Sequence, residues 1–292
     1  MECRTGSFAT TRTTEMLEAF QLEFMRNALL AGILTSIACG IIGTLVVVNR
    51  IVFISGGVAH AAYGGVGIAF YLGFSPILGA AGFSLLISAV MALVTLKNKQ
   101  RADTVVGVLW AVGMALGIVF IDLTPGYGVD IMSYLFGSIL TVPRFDLVLM
   151  AFLDVLILIL VVVYYHGFLA MSFDEEFAMT KGVPVKGLYF LLLAMMAFSV
   201  VMVIRVVGLI LVIALLTIPP YVAEKYCRSL SAMMLFSTLL SCTVSMMGLW
   251  LSYSFNLTSG ATIILVAAFF FFLAQVFEVL RERKWNRSES RD

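Results

Sequence analysis

His60 stands inside a run of membrane-grade residues, NRIVFISGGVAHAAYGGVGIAFYL, spanning residues 49–72. A protonatable ring in hydrocarbon is costly unless it faces a cavity or a partner, so its presence there points to a functional site. At helical spacing Gly56, His60 and Gly64 share one face, which leaves bare backbone one turn above the ring and one turn below it. Such a face can be approached closely, and an imidazole on it can bond a proton, a carbonyl or a metal ion. Neither GxSxG nor HExxH surrounds the histidine, so an intramembrane hydrolase has no support.

Other residues capable of chemistry are scattered. Asp122 and Asp130 lie in a loop-like stretch (residues 122–146) whose apolar part is too short to span, read as a partly embedded outer element; their carboxylates could offer oxygen to a cation or be plain solvated surface. Asp154 falls near the middle of an apolar segment and needs the protein interior or a polar partner. Arg205 separates two apolar runs and is read as an outer-interface residue, the alternative being a pair with an acid inside the protein, while His166, beside Tyr164 and Tyr165, is read as interfacial. Cys3, Cys39, Cys227 and Cys242 form no CxxC pair, which argues against a thiolate metal site or redox motif.

The elements that carry these residues follow from composition. The chain is 62% hydrophobic and 12% charged with a mean hydropathy of +1.07, far from the roughly 25% charged content of a soluble domain. An all-α polytopic membrane protein is expected. Apolar stretches at about 24–48, 51–72, 77–96, 104–121, 146–166, 187–204, 206–223, 231–253 and 260–280 predict eight to nine spans, with the glycine-dense second stretch and the pair around Arg205 the least independent. The organisation is a polar N-terminal segment (1–23) with no signal-peptide pattern, one transmembrane domain (24–280) and a basic tail (281–292). Thirteen of the 18 lysines and arginines fall at Arg50, Lys97–Arg101, Lys181/Lys186, Lys225/Arg228 and the tail, which marks that side as cytoplasmic. A net charge of +1 without a basic stripe gives no case for nucleic acid.

Two stretches differ from ordinary loops and spans. In SFDEEFAMTKGVPVK, the core of a cytoplasmic loop over 172–187, Asp174 and Glu176 stand at the start of a short helical pattern (Phe173, Phe177, Met179) that ends at Gly182 and Pro184. Acids at a helix start and Gly then Pro past its end describe a short surface helix, suited to docking a protein or lying in the interface. In RVVGLILVIALLTIPPYVAEKYCR, Pro219 and Pro220 remove two amide donors, and a broken helix is expected. Gly57, Ala61 and Gly65 recur every fourth position beside the histidine face, a pattern for close helix packing.

Taken in order, NALLAGILTSIACGIIGTLVVVNR, GGVAHAAYGGVGIAF, DIMSYLFGSIL, SFDEEFAMTKGVPVK, RVVGLILVIALLTIPP and LTSGATIILVAAFFFFLA resemble the permease subunit of zinc, manganese and iron ABC importers, from about Asn27 to Ala274. That resemblance implies a type II importer fold with a two-fold pore, formed with a second copy or close paralogue. It also implies two cytoplasmic ATPase subunits as partners and an extracytoplasmic metal-binding protein as the feeder. No GxxxxGK[ST] run occurs, so the chain is expected to be no enzyme and to hold no permanent cofactor, only a transported Zn, Mn or Fe ion. The resemblance makes Asp174, Glu175, Glu176, Ala178 and Gly182 the ATPase-coupling loop and His60 a pore ligand. Relatives resembling it carry an aspartate one turn before the histidine; Gly56 stands in its place here. Three accounts of that loss remain open: water or carbonyls complete the shell, another acid such as Asp130 supplies the oxygen, or the substrate has changed or His60 is a packed ring without metal contact. Alternatives for the whole chain are an iron-chelate or cobalamin-type ABC permease and a secondary metal carrier that needs no ATPase.

Overall fold

Without water in the bilayer core, backbone amides must be satisfied within each segment, so apolar stretches of this length become helices. A computed structural model describes residues 23–97, 101–125 and 142–289, without the side chains of 205–206 and 282–289. The described residues are helical throughout, with no strand: α1 (Glu23–Val48), α2 (Val52–Leu72), α3 (Pro76–Lys97), α4 (Ala102–Asp122), α5 (Arg144–Val163), α6 (Tyr165–Phe173), α7 (Glu175–Thr180), α8 (Val185–Val207), α9 (Leu209–Tyr226), α10 (Leu230–Phe255) and α11 (Ser259–Glu289). Nine of them are long and apolar enough to cross a membrane. The glycine-dense second stretch, doubtful as a full span, is an unbroken 21-residue helix.

The reason α2 holds as a helix is that its glycines touch backbone instead of void. A Cβ on Gly65 would lie 2.1 Å from the Gly79 carbonyl oxygen of α3, and one on Gly67 would lie 2.3 Å from that of Gly117 on α4. Helices in lipid gain association energy from such close van der Waals approach, since burying apolar surface gains nothing there. Helix α1 is packed among α5, α9 and α10, with Gly40 against the Thr238 backbone of α10. Asn27 Nδ2 donates to the Val142 carbonyl at 3.2 Å near the start of α5, and Asn49 Nδ2 donates to Ser172 Oγ at 3.0 Å at the other end. These two bonds fix α1 and α5 as parallel neighbours, as alternation through five crossings requires.

The expected break at Pro219–Pro220 is not found: α9 runs continuously through both prolines. Pro220 cannot donate to the Leu216 carbonyl, and that oxygen instead faces Gly43 of α1, where a Cβ would come within 2.6 Å. The glycine lets another backbone cover the freed carbonyl, which is how a proline is tolerated inside a membrane helix. The break lies at Gly208, whose φ of 81° and ψ of 165° suit glycine alone, and it separates α8 from α9 three residues after Arg205.

Candidate functional site

His60 sits on α2 with its ring half-buried. Its Nδ1 lies 2.8 Å from the Gly56 carbonyl oxygen, one turn earlier. A carbonyl can only accept, so Nδ1 carries the proton and Nε2 is left with a free lone pair. Histidines that bind metals are commonly fixed in this way, by a carbonyl on the other nitrogen. The ring also stacks on Trp110 of α4, with centroids 4.0 Å apart and planes at 29°. Trp110 is held in turn by its Nε1–H, which donates to Met114 Sδ at 3.2 Å, and by Phe53 at 6.2 Å between centroids. Two contacts therefore set the direction of the imidazole before any ligand arrives.

The glycines framing the ring are not equivalent. A Cβ on Gly64 would meet the Gly113 carbonyl oxygen at 2.7 Å, and one on Gly57 would meet Val106 Cγ1 at 2.5 Å, so both are pressed against α4. At Gly56 the nearest atom is Ile213 Cδ1 of α9, at an ordinary 3.8 Å. The turn before His60 thus faces room where the turn after it faces a helix. Among the described residues no three His, Cys, Asp or Glu side chains come together as a metal cage. A single chain offers one oriented imidazole. Asp130 lies outside the described residues, and Asp122 is exposed at the end of α4.

Asp174, Glu175, Glu176, Ala178 and Gly182 are brought together in α7 and its caps. Asp174 is the N-cap, its Oδ1 accepting from Phe177 N at 2.9 Å. Past the last turn Gly182 takes φ 79°, its N–H donates to the Met179 carbonyl, and Val183 N–H donates to that of Ala178, the 5→2 and 6→1 bonds of a Schellman stop. Ala178 is 1% exposed and roots the helix in the bundle. What α7 and its flanks present outward is mixed: Phe173 is 83% exposed, and Phe177 and Met179 are exposed beside the exposed acids Asp174 and Glu176.

Asp154 is 7% exposed with Oδ2 unpartnered among the described residues, so it faces the interior without the polar partner it needs. Pro219 and Pro220 are buried, Pro220 beside Gly43 of α1. His166 is exposed and edge-on to Tyr165, and Cys39, Cys227 and Cys242 are free thiols. Sequence reasoning missed Trp110, because a tryptophan in an apolar span carries no mark of the helix it will cross.

Among the described residues, nine membrane-length helices, an oriented imidazole between two of them and a capped short helix at a loop define a polytopic membrane protein. Residues 21–278 match the ABC 3 transport family, and the chain belongs to it. It is 54% identical over 269 residues to the uncharacterised membrane protein slr2045 of Synechocystis, covering 92% of this chain and 96% of that one. With the manganese transport system membrane protein MntC of Listeria monocytogenes it shares 31% over 257 residues, 88% and 91% of the two chains. The solved structure of PsaBC from Streptococcus pneumoniae in complex with Fab superposes with a TM-score of 0.81 at 31% identity, over 90% of this chain and 95% of that one. The chain is a multi-pass ABC permease of the cell membrane and not an enzyme; ATP hydrolysis belongs to a separate subunit.

Proposed function

We propose that this chain forms the pore of an ATP-driven importer of divalent transition metal ions, with His60 as its ligand to the passing ion. The observation that carries this reading is the His60 ring, whose Nδ1 is engaged by Gly56 O and whose Nε2 is left to a ligand. Manganese is the favoured cargo, since a relative at 31% identity is named for manganese transport. Zn(II) and Fe(II) remain chemically acceptable, because an imidazole binds all three. One ring cannot hold an ion, so two chains related by a two-fold axis, identical or close paralogues, would bring two rings together, with waters completing the shell. Such a site is weak, and weakness permits release.

The docking surface is the outward side of α7 with Phe173 before it, where exposed apolar side chains stand among the acids Asp174 and Glu176. An ATPase subunit seated there would move α7 when it closes on ATP. The pore would then exchange outward-facing and inward-facing states around the paired rings. A solute-binding protein on the far side would deliver the ion.

The test is reconstitution of the permease in liposomes with its ATPase and binding protein, scored by uptake of Mn, Zn and Fe with and without ATP. Uptake that needs ATP and the ATPase subunit is expected, with Mn transported fastest. Equal uptake by the permease alone would make it a secondary carrier.

A further inference from the structure

From Ile54 to Gly67 every residue of α2 is buried except His60. The imidazole is therefore the one point at which the middle of this helix reaches outward. A cation there gains from an electron-rich neighbour besides the ring, and the usual one, a carboxylate, is not on the helices that frame it. Helix α2 carries no charged residue, and α4 has only Asp103 and Asp122, about 10 and 18 Å along the axis from Trp110. Helix α9, which faces Gly56 through Ile213, has its one acid, Glu224, near its far end.

What stands beside the ring instead is the face of Trp110. The two centroids are 4.0 Å apart and the planes 29° apart, which is a stack and not an edge contact. The face of an aromatic ring is the negative part of its quadrupole and the rim the positive part. The one polar hydrogen on the indole rim, Nε1–H, is turned to Met114 Sδ at 3.2 Å on the same helix. Trp110 thus offers His60 its π face while its N–H is engaged elsewhere. Both rings are half-buried, which limits the water that would screen a charge between them.

Once Nε2 takes an ion, the imidazole carries part of the charge. An ion about 2.1 Å beyond Nε2 in the ring plane would also stand within roughly 6 Å of the indole centroid, inside the range of a cation–π contact. The stack therefore favours the loaded ring over the empty one, a difference that packing alone does not make. We infer that Trp110 is part of the ion site, its π face attracting a divalent cation where Gly56 supplies no carboxylate. A π face donates no lone pair to the ion, so it raises affinity without adding a ligand that must be stripped at release. This role rests on the reading of His60 as the pore ligand.

Mn(II) titration of the full-length chain in zwitterionic-lipid nanodiscs, followed by water-proton relaxation with empty discs as blank, measures the binding that His60→Ala removes. Trp110→Leu is expected to weaken that binding about fivefold, and Trp110→Phe, which keeps a weaker face, about twofold. Fluorination separates charge from shape, because each fluorine drains the π face while the ring keeps its size. Mono-, di- and trifluorotryptophan placed at position 110 by nonsense suppression are expected to weaken Mn(II) binding stepwise, to about fivefold at the last, with melting temperatures unchanged. Binding that depends on His60 yet stays equally tight across the fluorinated series overturns the role of Trp110 and leaves His60 as the ligand. Absence of any His60-dependent binding in the native chain overturns both.

Discussion

Gly56 and Gly64 flank the same ring at the same spacing and do different things. Gly64 is required by the α4 backbone, whereas Gly56 has space around it. Gly56→Asp should therefore fold, and its carboxylate should reach the region that Nε2 of His60 faces. We expect Mn(II) to bind about tenfold tighter, a change of about 1.4 kcal/mol, with slower turnover because release becomes harder. Unchanged Mn(II) affinity in a folded Gly56→Asp protein would show that the ion does not pass there. His60 was legible in the sequence because a titratable residue among apolar neighbours is conspicuous. Its bond to Gly56 O follows from helical spacing, but its stacking on Trp110 depends on how α2 crosses α4, which one strand of sequence does not state. Asp154 was legible as a problem and not as a solution: it is buried, as expected, yet no described group pairs with its Oδ2.

At the scale of elements, α2 is a helix held by backbone contact. Gly65→Ala would drive a methyl into the Gly79 carbonyl and should lower stability by about 1–3 kcal/mol, read as a drop in melting temperature in detergent. Gly56→Ala, facing only Ile213 Cδ1, should leave it unchanged. A different separation is expected at α7. Asp174→Ala loses the N-cap bond and should destabilise that short helix by about 1 kcal/mol. Phe177→Ser removes an exposed ring whose cation contact is with the exposed Lys181, so it should leave the fold intact while reducing co-purification of the ATPase; full retention of the ATPase would remove the docking surface from the account. Start and stop signals made α7 legible, since Asp174, Gly182 and Pro184 act locally. The prolines misled for the opposite reason. Whether Pro220 breaks a helix depends on what meets the freed Leu216 carbonyl, and Gly43 stands 177 positions away in the chain. Gly208, the residue that does divide α8 from α9, looked like any glycine in an apolar run.

For the molecule as a whole, hydropathy sufficed for the class, since nine apolar stretches yielded nine membrane-length helices among the described residues. Side-by-side placement was less accessible, because lipid-embedded helices associate through small-residue contacts whose partners lie far apart in sequence. The gathering of the turn at Arg50, the α3–α4 junction and α7 around one cavity agrees with the side that the basic residues mark as cytoplasmic. Function at this scale depends on a site that one chain leaves incomplete, so the central claim is that cargo crosses at His60. The direct measurement is ATP-driven Mn(II) uptake into liposomes holding the permease, ATPase and binding protein, comparing wild type with His60→Ala at equal ATPase content and melting temperature. Loss of a ligand from each chain is expected to cut the initial rate by at least about tenfold, and uptake at the wild-type rate would contradict the account.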